Sequence, residues 1–510
     1  MLAPGINVLT RHPRYWSFYA FVVHEFWKAG HPQNTSTFRR FLRHKESIFA
    51  AANLICEPNP RNQVIGTRRL GPLVESRPKS ISASFDYMKS TGGGYGLYYA
   101  TAMQATGAVK LANRDVGLPV DAVTPDLGKS LADAFRASIA ETKYFKKYLH
   151  AEVIPTGVIE EYGQACSLWS LSEDSEERMC LVDVILHGGP EAESAYRRKT
   201  LQMMLEISAQ TANSPLNQDL FRQLVLYRSA TQDEGGSVVA RFRPGSNLTE
   251  VARYWRISQL REMFNWSLNG LWRWVALWGD DNEGDLGPVP LRELEGAVRG
   301  LNVRSISGIT CAASSQIGDL VEQLSSAAEI TQKLDGEWNL QAQIAEISIL
   351  RQVESDSMPS KNELAHLFSM YLLSLLRIRD VAMDEVDTKM IREGGVKRVG
   401  MASALRALER DIASRRSIDE VALRVITDNV LTQHERVAIA KLPDDTFRFR
   451  RDGSAINFFS HKHEYQSNDS RFRSIALACG DLRWTTYLDE ANRKLSNEGK
   501  ALRRTGDVIR

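Results

Sequence analysis

Residues 4–27 read PGINVLTRHPRYWSFYAFVVHEFW, and this stretch decides the fold of the N-terminal part of the chain. Its apolar residues recur three and four positions apart, which predicts a helix over residues 13–28 with one buried face. The aromatic side chains between Tyr15 and Trp27 could stack on unpaired bases. Because aromatic residues contribute so much buried area to protein cores, we expect them to pack in a core instead.

A second helix is expected over residues 36–55, with Ser36 or Thr37 as its cap and a stripe of Phe, Leu and Ile residues on its buried face. Residues 57–80 are rich in Pro, Gly and Arg. That composition predicts a connector between this helix pair and the rest of the chain.

The first 80 residues carry twelve Lys and Arg against four Glu and no Asp, a formal charge of +8, whereas the remaining residues carry −6. Such an asymmetry indicates a surface that binds an anion, most often nucleic acid. Lys and Arg neutralise phosphates and release condensed counterions, and nothing in the pattern specifies base readout. The candidate nucleic-acid-binding residues are Arg11, Arg14, Arg39, Arg40, Arg43, Lys45, Arg68 and Arg69.

The same cations have two other interpretations. They could form an ordinary solvated face, or they could dock onto the acidic stretches of the chain at residues 173–177 or 280–285. The sequence leaves these alternatives open.

The composition is that of a globular protein: 510 residues, 43% of them hydrophobic and 25% charged. This length suits two to four domains, and helical periodicity dominates it. We expect a mainly α multidomain protein with a winged-helix-like unit and a C-terminal β-hairpin over 446–460. The expected divisions are a basic N-terminal module over 1–150, a central helical domain over 151–285 and a C-terminal helical domain over 286–510.

The winged-helix-like unit is expected within residues 81–150. The order there is helix, short strand, polar turn, short strand and helix, and it ends in VTPDLGKSLADAF. This order and its T-P-x-x-G-x-x-L-A phrase resemble the end of a winged-helix domain. Thr124 is the expected cap and Pro125 the first residue of a helix that reaches Leu149.

The sequence predicts a cytoplasmic protein with no membrane segment. The N-terminus lacks the basic and apolar regions of a signal peptide, and no window of about 18 apolar residues occurs. The five cysteines are scattered and form no C-x-x-C pair, which is typical of reduced thiols.

No catalytic signature matches the basic segment in strength, so enzymatic activity is left open, with a non-enzymatic protein favoured. No cofactor or metal is expected. The glycine-rich TGGGYG turn at 91–96 lacks the Lys-Ser/Thr of a Walker A loop, and a flexible turn between helices is the favoured interpretation.

Two weaker patterns leave a nuclease open. His461, His463 and Glu464 place two imidazoles on one face of a strand, which could hold a metal. Arg39 and His44 have the R-x4-H spacing of helical HEPN-like ribonucleases. Surface histidines and chance spacing are the simpler explanations.

A long helix over 248–278 carries five tryptophans in 24 residues. One buried stripe needs fewer, so some of them are expected at a domain or subunit interface. A protein-only scaffold or an oligomeric subunit, including a homo-oligomer, is therefore an alternative function.

The opening phrase resembles that of uncharacterised bacterial proteins found beside helicases, methylases and nucleases in antiphage defence islands, with the pattern PG-x-(S/N)-V-x-T…RY-x-x-F. The matching residues are Pro4, Gly5, Thr10, Arg14, Tyr15 and Phe18. The resemblance covers about 140 residues and implies a setting without catalytic residues. Together with the charge asymmetry, this setting favours a non-enzymatic component of a bacterial defence complex that senses or positions nucleic acid, DNA rather than RNA, for partners such as an ATPase, helicase or nuclease.

Overall fold

The computed structural model describes most of the chain. The described residues are 2–7, 10–56, 64–168, 171–232, 236–283, 288–330, 334, 336–355, 360–379, 391, 399–442, 446–459 and 471–508. They fold mainly into α-helices with small sheets, which confirms the predicted fold class.

The helices are numbered in chain order. They are α1 (Arg14–Lys28), α2 (Thr35–Cys56), α3 (Thr67–Glu75), α4 (Ala100–Ala105), α5 (Leu127–Ile139), α6 (Thr156–Cys166), α7 (Glu176–His187), α8 (Glu191–Gln210), α9 (Gln218–Tyr227), α10 (Thr249–Glu283), α11 (Leu291–Arg299), α12 (Ile317–Ala327), α13 (Glu346–Ser355), α14 (Lys361–Arg379), α15 (Met401–Ala413), α16 (Ile418–Arg424), α17 (Thr432–Ile439), α18 (Phe472–Asp481) and α19 (Asn497–Thr505).

The strands are short, and every pairing among them is antiparallel. They are β1 (Ser80–Ser82), β2 (Val109–Lys110), β3 (Ala122–Val123), β4 (Val153–Pro155), β5 (Ser229–Thr231), β6 (Val238–Arg241), β7 (Val289–Pro290), β8 (Phe449–Asp452) and β9 (Ala455–Phe458). Strand β1 pairs with β4, β2 with β3 and β5 with β6, while the order β7-β9-β8 forms a three-stranded sheet.

The chain forms two compact units. Unit 1 comprises Met1–Gln218 with Asp469–Arg510, and unit 2 comprises Asp219–Asn468. These bounds differ from the three segments expected from the sequence. The expected limit at 150 falls inside unit 1 because β4, which follows it, pairs with β1, which precedes it. The limit at 285 falls inside unit 2 because β7 pairs with β9.

Helix α1 is the centre of unit 1, as its aromatic pattern predicts. The Phe18 ring stacks on Phe49 of α2 with centroids 4.0 Å apart, and it meets Phe135 of α5 edge-on at 5.7 Å. Tyr15 and Tyr19 are also buried and stack on each other at 5.6 Å. The aromatic run therefore packs in the core and is not available to stack on bases.

The segment before α1 is tied to α8. The Arg197 guanidinium donates to the Pro4 carbonyl at 2.7 Å, and the Thr200 hydroxyl donates to the Leu2 carbonyl. Gly5 has φ +82°, and a Cβ there would lie 2.5 Å from a methyl carbon of Thr106. The P-G dipeptide is thus required by a left-handed turn in a crowded position.

Several local expectations in unit 1 need correction. The N-terminus of α2 is capped by Asn34, whose side-chain oxygen accepts from the Thr37 amide at 2.9 Å, and not by Ser36 or Thr37. The expected connector contains α3. The helix expected to reach Leu149 ends at Ile139 and is followed by a π-helical turn over Tyr144–Tyr148.

The order expected for the winged-helix-like unit is present as α4, β2, β3 and α5. Strands β2 and β3 pair over two residues each. The Thr124 hydroxyl accepts from the Gly128 amide at 2.9 Å, but Asp126 occupies the cap position and α5 begins at Leu127, two residues after the expected first residue, Pro125. A Cβ on Gly128 would lie 2.0 Å from the Ala108 carbonyl oxygen, which explains why glycine occupies the point where α5 meets β2.

Unit 2 is built on α10 and α14, which pack along each other. Almost the whole of α14 is buried, as its apolar sequence predicts. The expected C-terminal hairpin is confirmed as β8 and β9, joined by a turn in which Gly453 has φ +57°. Strand β7 adds a third member that the sequence pattern did not predict.

Among the helices of the described ranges, none combines the length and the uninterrupted apolar character needed to cross a bilayer.

Candidate nucleic-acid interface

Helix α2 presents three of the predicted arginines on one side. Arg39 and Arg40 stand four and three residues before Arg43, so the three side chains share a helix face. Together with Lys89, which follows β1 in the chain, they line a groove of about 490 Å³. The structure therefore gathers three of the eight predicted residues around one concave surface in unit 1.

Arg43 lines this groove, and several contacts hold its guanidinium in place. Its guanidinium bonds the Asp86 carboxylate at 2.7 Å and the Met88 carbonyl at 3.1 Å, and it donates to the Ser90 carbonyl. It also lies 5.1 Å from the centre of the Tyr87 ring. These bonds leave Arg43 mainly a structural role, because they tie α2 to the segment 83–91.

The other cations that line the groove are not held by bonds of this kind. Arg39, Arg40 and Lys89 are exposed, and within the described ranges none of the three forms a hydrogen bond or an ion pair. Asp86 is the only carboxylate that lines the groove within those ranges, and Arg43 and Arg69 both pair with it. The groove consequently has an excess of positive charge that a ligand phosphate could neutralise.

Arg14 and Lys45 lie in the core, which removes them from any surface. Arg14 is 2% exposed and pairs with Glu177. Lys45 is 7% exposed, donates to the Leu149 carbonyl and lies 4.9 Å from the centre of the Phe41 ring. Burial lowers the pKa of Lys45 to about 8.

The other three predicted residues lie outside the groove lining. Arg11 is half-buried, and its backbone amide donates to the Tyr99 hydroxyl at 3.1 Å. Arg69 is exposed but donates to the Asp86 carbonyl at 3.0 Å. Arg68 is exposed on α3 and, within the described residues, makes no ion pair. Only Arg68 among them could add a free charge to this face of unit 1.

A second cavity, of about 480 Å³, adjoins the groove and shares Arg39 and Thr91 with it. Its lining mixes polar residues with apolar side chains, among them the buried Phe38, Leu42 and Val120. One wall comes from the residues that join β2 to β3. The basic groove and this second cavity together form a continuous concave surface.

The glycine-rich turn between these two cavities is built around a buried carboxylate. Glu46 is fully buried, and the Gly94 amide donates to its two oxygens at 2.9 and 3.1 Å. Burial raises the pKa of Glu46 to about 7, although the Gly94 amide and the hydroxyls of Tyr87 and Tyr19 oppose this rise. The backbone of the turn thus binds a buried carboxyl group of the protein itself, and the turn is not a phosphate loop.

His44 lines the basic groove beside Arg40. Its Nδ1 lies 3.8 Å from a carboxylate oxygen of Glu152. Burial lowers the pKa of His44, Glu152 opposes this effect, and Lys45, Arg40 and Arg43 add to it. The side chain is therefore neutral at pH 7. Arg39 and His44, the residues of the R-x4-H pattern, both line this groove.

The three residues of the predicted metal site, His461, His463 and Glu464, lie outside the described residues. Asp481, an acidic residue close to these three in sequence, bonds the buried His12 at 2.7 Å and the Tyr487 hydroxyl at 2.8 Å, so it is occupied within unit 1. In the described ranges, no group of three His, Cys, Asp or Glu side chains is arranged to hold a metal ion.

The tryptophans of α10 contribute mainly to the core of unit 2. Trp255, Trp266 and Trp274 are buried, which confirms the packing part of the expectation. Trp272 and Trp278 are half-buried, and each still has an aromatic neighbour: His434 at 5.8 Å and Phe458 at 6.2 Å.

Lys89, which lines the groove, and Glu46, which supports the glycine-rich turn, were not predicted from the sequence. Lys89 stands just beyond the 80-residue basic segment and close to the glycine-rich turn. A charge count that continued to the turn would have included it. Glu46 carries no such signal, because a single acidic residue on a basic helix gives no indication that it is buried.

Comparison of this chain with protein-family models, with curated proteins and with solved structures finds no match.

Proposed function

We propose that this protein binds nucleic acid, DNA in preference to RNA, through the groove between α2 and the segment 83–91. It acts in the cytoplasm as a non-enzymatic component of a bacterial antiphage defence complex. In that role it senses or positions DNA for partner enzymes such as an ATPase, helicase or nuclease. The setting within a defence complex follows from the resemblance of the opening phrase alone.

The excess of positive charge in the groove is the observation that supports binding. Arg39, Arg40 and Lys89 are exposed and lack ion-pair partners within the described residues, while the single lining carboxylate, Asp86, has two arginines. An unpaired guanidinium is available to bind a phosphate with two hydrogen bonds. Phosphate contacts of this kind position a nucleic acid and do not specify its sequence.

Charge reversal at two positions tests the proposal. The variant Arg39→Glu/Arg40→Glu is compared with the wild type by DNA binding at several salt concentrations. Losing two phosphate contacts should weaken binding at low salt and reduce the slope of log K against log salt by about 1.4 to 1.8. The control Arg406→Glu/Lys441→Glu has the same net charge but changes exposed residues of unit 2, and it should keep the wild-type slope.

Two outcomes would contradict the proposal. One is the absence of DNA binding by the wild-type protein at about 50 mM salt, where phosphate contacts are strongest. The other is an equal loss of affinity in the groove variant and in the unit 2 control, because that would assign binding to net charge and not to the groove.

A ribonuclease related in mechanism to HEPN-like enzymes is a second candidate, favoured by the placement of Arg39 and His44 on one groove. A neutral imidazole could take the proton of a ribose 2′-hydroxyl, and the guanidinium could stabilise the charge that develops on the phosphorus oxygens. RNA cleavage by the wild type that disappears in His44→Ala while RNA binding persists would support this candidate. Equal cleavage by both proteins would exclude it.

A further inference from the structure

The second cavity, beside the basic groove, is large enough to hold one flat ring. Its volume of about 480 Å³ lies within the range of small-ligand sites. Phe38, Leu42 and Val120 form a buried floor, whereas Leu97 stands at the edge with 51% of its surface exposed. About half of this leucine is open to solvent among the described residues, so it offers an apolar surface beside the cavity.

The cavity also has a fixed polar group. The Asp121 carboxylate lines it and is held in place by two donors, the Tyr95 hydroxyl at 2.9 Å and the Ala112 amide at 2.7 Å. A carboxylate has about four acceptor positions, so two donors do not exhaust its capacity. It can accept from the ring N–H or amino group of a nucleobase. A few oriented polar groups in an apolar surround are typical of small-molecule sites.

The two cavities lie side by side, and this indicates which kind of ligand would carry the ring. Arg39 and Thr91 line both of them, so a phosphate bound at Arg39 would lie directly beside the second cavity. A nucleotide joins an anionic phosphate to a flat apolar base in the same way. In a duplex the bases are stacked and paired, so a base can enter such a cavity only from a single strand or after leaving the helix.

We infer that the cavity lined by Phe38, Leu97 and Asp121 takes an unpaired nucleobase while the neighbouring groove holds the adjoining phosphates. The ligand is therefore a single-stranded stretch of nucleic acid, or an extrahelical nucleotide, in preference to intact duplex. This inference rests on the proposed function, because the phosphate side of the site is the groove assigned there. The shape of the cavity and its single carboxylate acceptor favour an unpaired base, but they do not favour one base over another.

The test uses a DNA oligomer that contains one 2-aminopurine, a fluorescent base, as a single strand and as a duplex, together with the RNA single strand of the same sequence. The full-length protein should bind the single strand about tenfold more tightly than the duplex, since one base–protein contact gives roughly that factor. Binding should also change the emission of 2-aminopurine in the single strand. DNA and RNA single strands share the chemistry of the site, and tighter binding of either supports the inference.

A variant that fills the cavity separates the contribution of the cavity to binding from that of the groove. A Cβ on Gly96 meets no atom within 4 Å, so Gly96→Leu places a side chain in the open space of the cavity without changing any charge. It should lower single-strand affinity about tenfold and abolish the emission change, while duplex affinity stays at the wild-type value. Gly71→Leu is the matched control, because Gly71 also has open space and lies outside both cavities.

A substitution of Leu97, at the mouth of the cavity, provides an independent test if the Gly96→Leu variant fails to fold. Leu97→Ser should weaken single-strand binding, and Leu442→Ser, at a leucine of similar exposure in unit 2, should not. Equal affinity for single strand and duplex, with no effect of either cavity variant, would overturn the inference and leave the proposed function standing. No binding of any nucleic acid would instead show that the proposed function itself is wrong.

Discussion

Arg14 and Glu177 form a buried ion pair with two parallel hydrogen bonds, from Nε to Oε1 at 3.0 Å and from Nη2 to Oε2 at 2.9 Å. Each side chain is 2% exposed. The Ser17 hydroxyl donates to the same carboxylate at 2.6 Å, and the Ala165 carbonyl accepts from Arg14 at 2.8 Å. The first helix of the chain is thereby joined to α7, more than 160 residues later.

This pair changes the meaning of the charge asymmetry. Arg14 belongs to the basic segment, and Glu177 belongs to the acidic stretch at 173–177. The alternative interpretation, in which the basic residues dock onto acidic parts of the chain, is therefore correct for Arg14. The exposed Arg39 and Arg40 have no such partner within the described residues. The basic segment contains both structural and surface cations, and its total charge does not distinguish them.

Removing one partner of the buried pair should destabilise unit 1 strongly. Arg14→Met leaves the Glu177 carboxylate buried without its cation, which costs about 3–5 kcal/mol. Urea denaturation of the full-length variant should show this loss as a lower midpoint. Lys129→Met is the control, since Lys129 pairs with Asp133 at the surface and its loss should cost less than about 1 kcal/mol. Equal stability of the Arg14 variant and wild type would contradict the structural role of the pair.

The glycine-rich turn should tolerate side chains at one glycine and not at another. A Cβ on Gly94 would lie 2.4 Å from a Glu46 oxygen and 2.5 Å from a methyl carbon of Ile65, whereas a Cβ on Gly96 meets nothing within 4 Å. Gly94→Ala should therefore lower the melting temperature clearly, since overpacking a core costs about 1–3 kcal/mol. Gly96→Ala should leave it unchanged or raise it slightly, because alanine favours helix. A similar effect at both positions would show that Glu46 does not organise the turn.

The sequence predicts the helices of unit 1 well because their patterns are local. The residues of α1 show a 3.6-residue period, which predicts the helix, but that period implies one buried face, whereas nearly the whole of α1 is buried. The cap of α2 is predicted less well, since Asn34 competes with Ser36 and Thr37 and only the backbone geometry selects among them. Helix α3 was missed because Pro72 lies inside it, and proline ordinarily argues against a helix.

The candidate site is harder to predict because it depends on long-range contacts. Nothing near Lys45 in the sequence indicates that its ammonium meets the Leu149 carbonyl, about a hundred residues away. Of the residues that match the opening phrase of the defence-island proteins, Thr10, Arg14, Tyr15 and Phe18 are all buried. The matching residues therefore specify how the N-terminal segment packs, and such a phrase can persist without any shared binding surface.

Glu46 should make the stability of unit 1 fall as the pH rises through neutrality. Burial raises the pKa of Glu46 from 4.5 to about 7 in the folded protein. The folded state then binds the proton more tightly than the unfolded state does. The stability that this proton gives the folded state is therefore complete below pH 4.5 and is lost as the pH rises through 7. A rise of this size corresponds to about 3 kcal/mol. The difference in urea midpoint between wild type and Glu46→Gln should therefore shift in favour of the variant between pH 5 and pH 8. A difference that stays constant over this range would contradict the raised pKa.

His434 should produce the opposite pH dependence in unit 2. Its Nδ1 lies 3.1 Å from Trp272 Nε1, and its Nε2 lies 3.0 Å from the Arg448 amide. Both neighbours are donors; a neutral imidazole can accept from one of them through its unprotonated nitrogen, whereas an imidazolium can accept from neither. Burial, reinforced by the charge of Arg448, lowers the pKa of His434 from 6.5 to about 4.

The stability that depends on neutral His434 is therefore present above pH 6.5 and is lost as the pH falls toward 4, because only the unfolded chain readily binds the proton. His434→Gln keeps a polar side chain but cannot be protonated, so its unfolding midpoint should fall less than that of the wild type between pH 7 and pH 5. Tryptophan fluorescence follows this transition, since Trp272 contacts the substituted residue. Parallel decreases in the two proteins would mean that His434 does not titrate in this range.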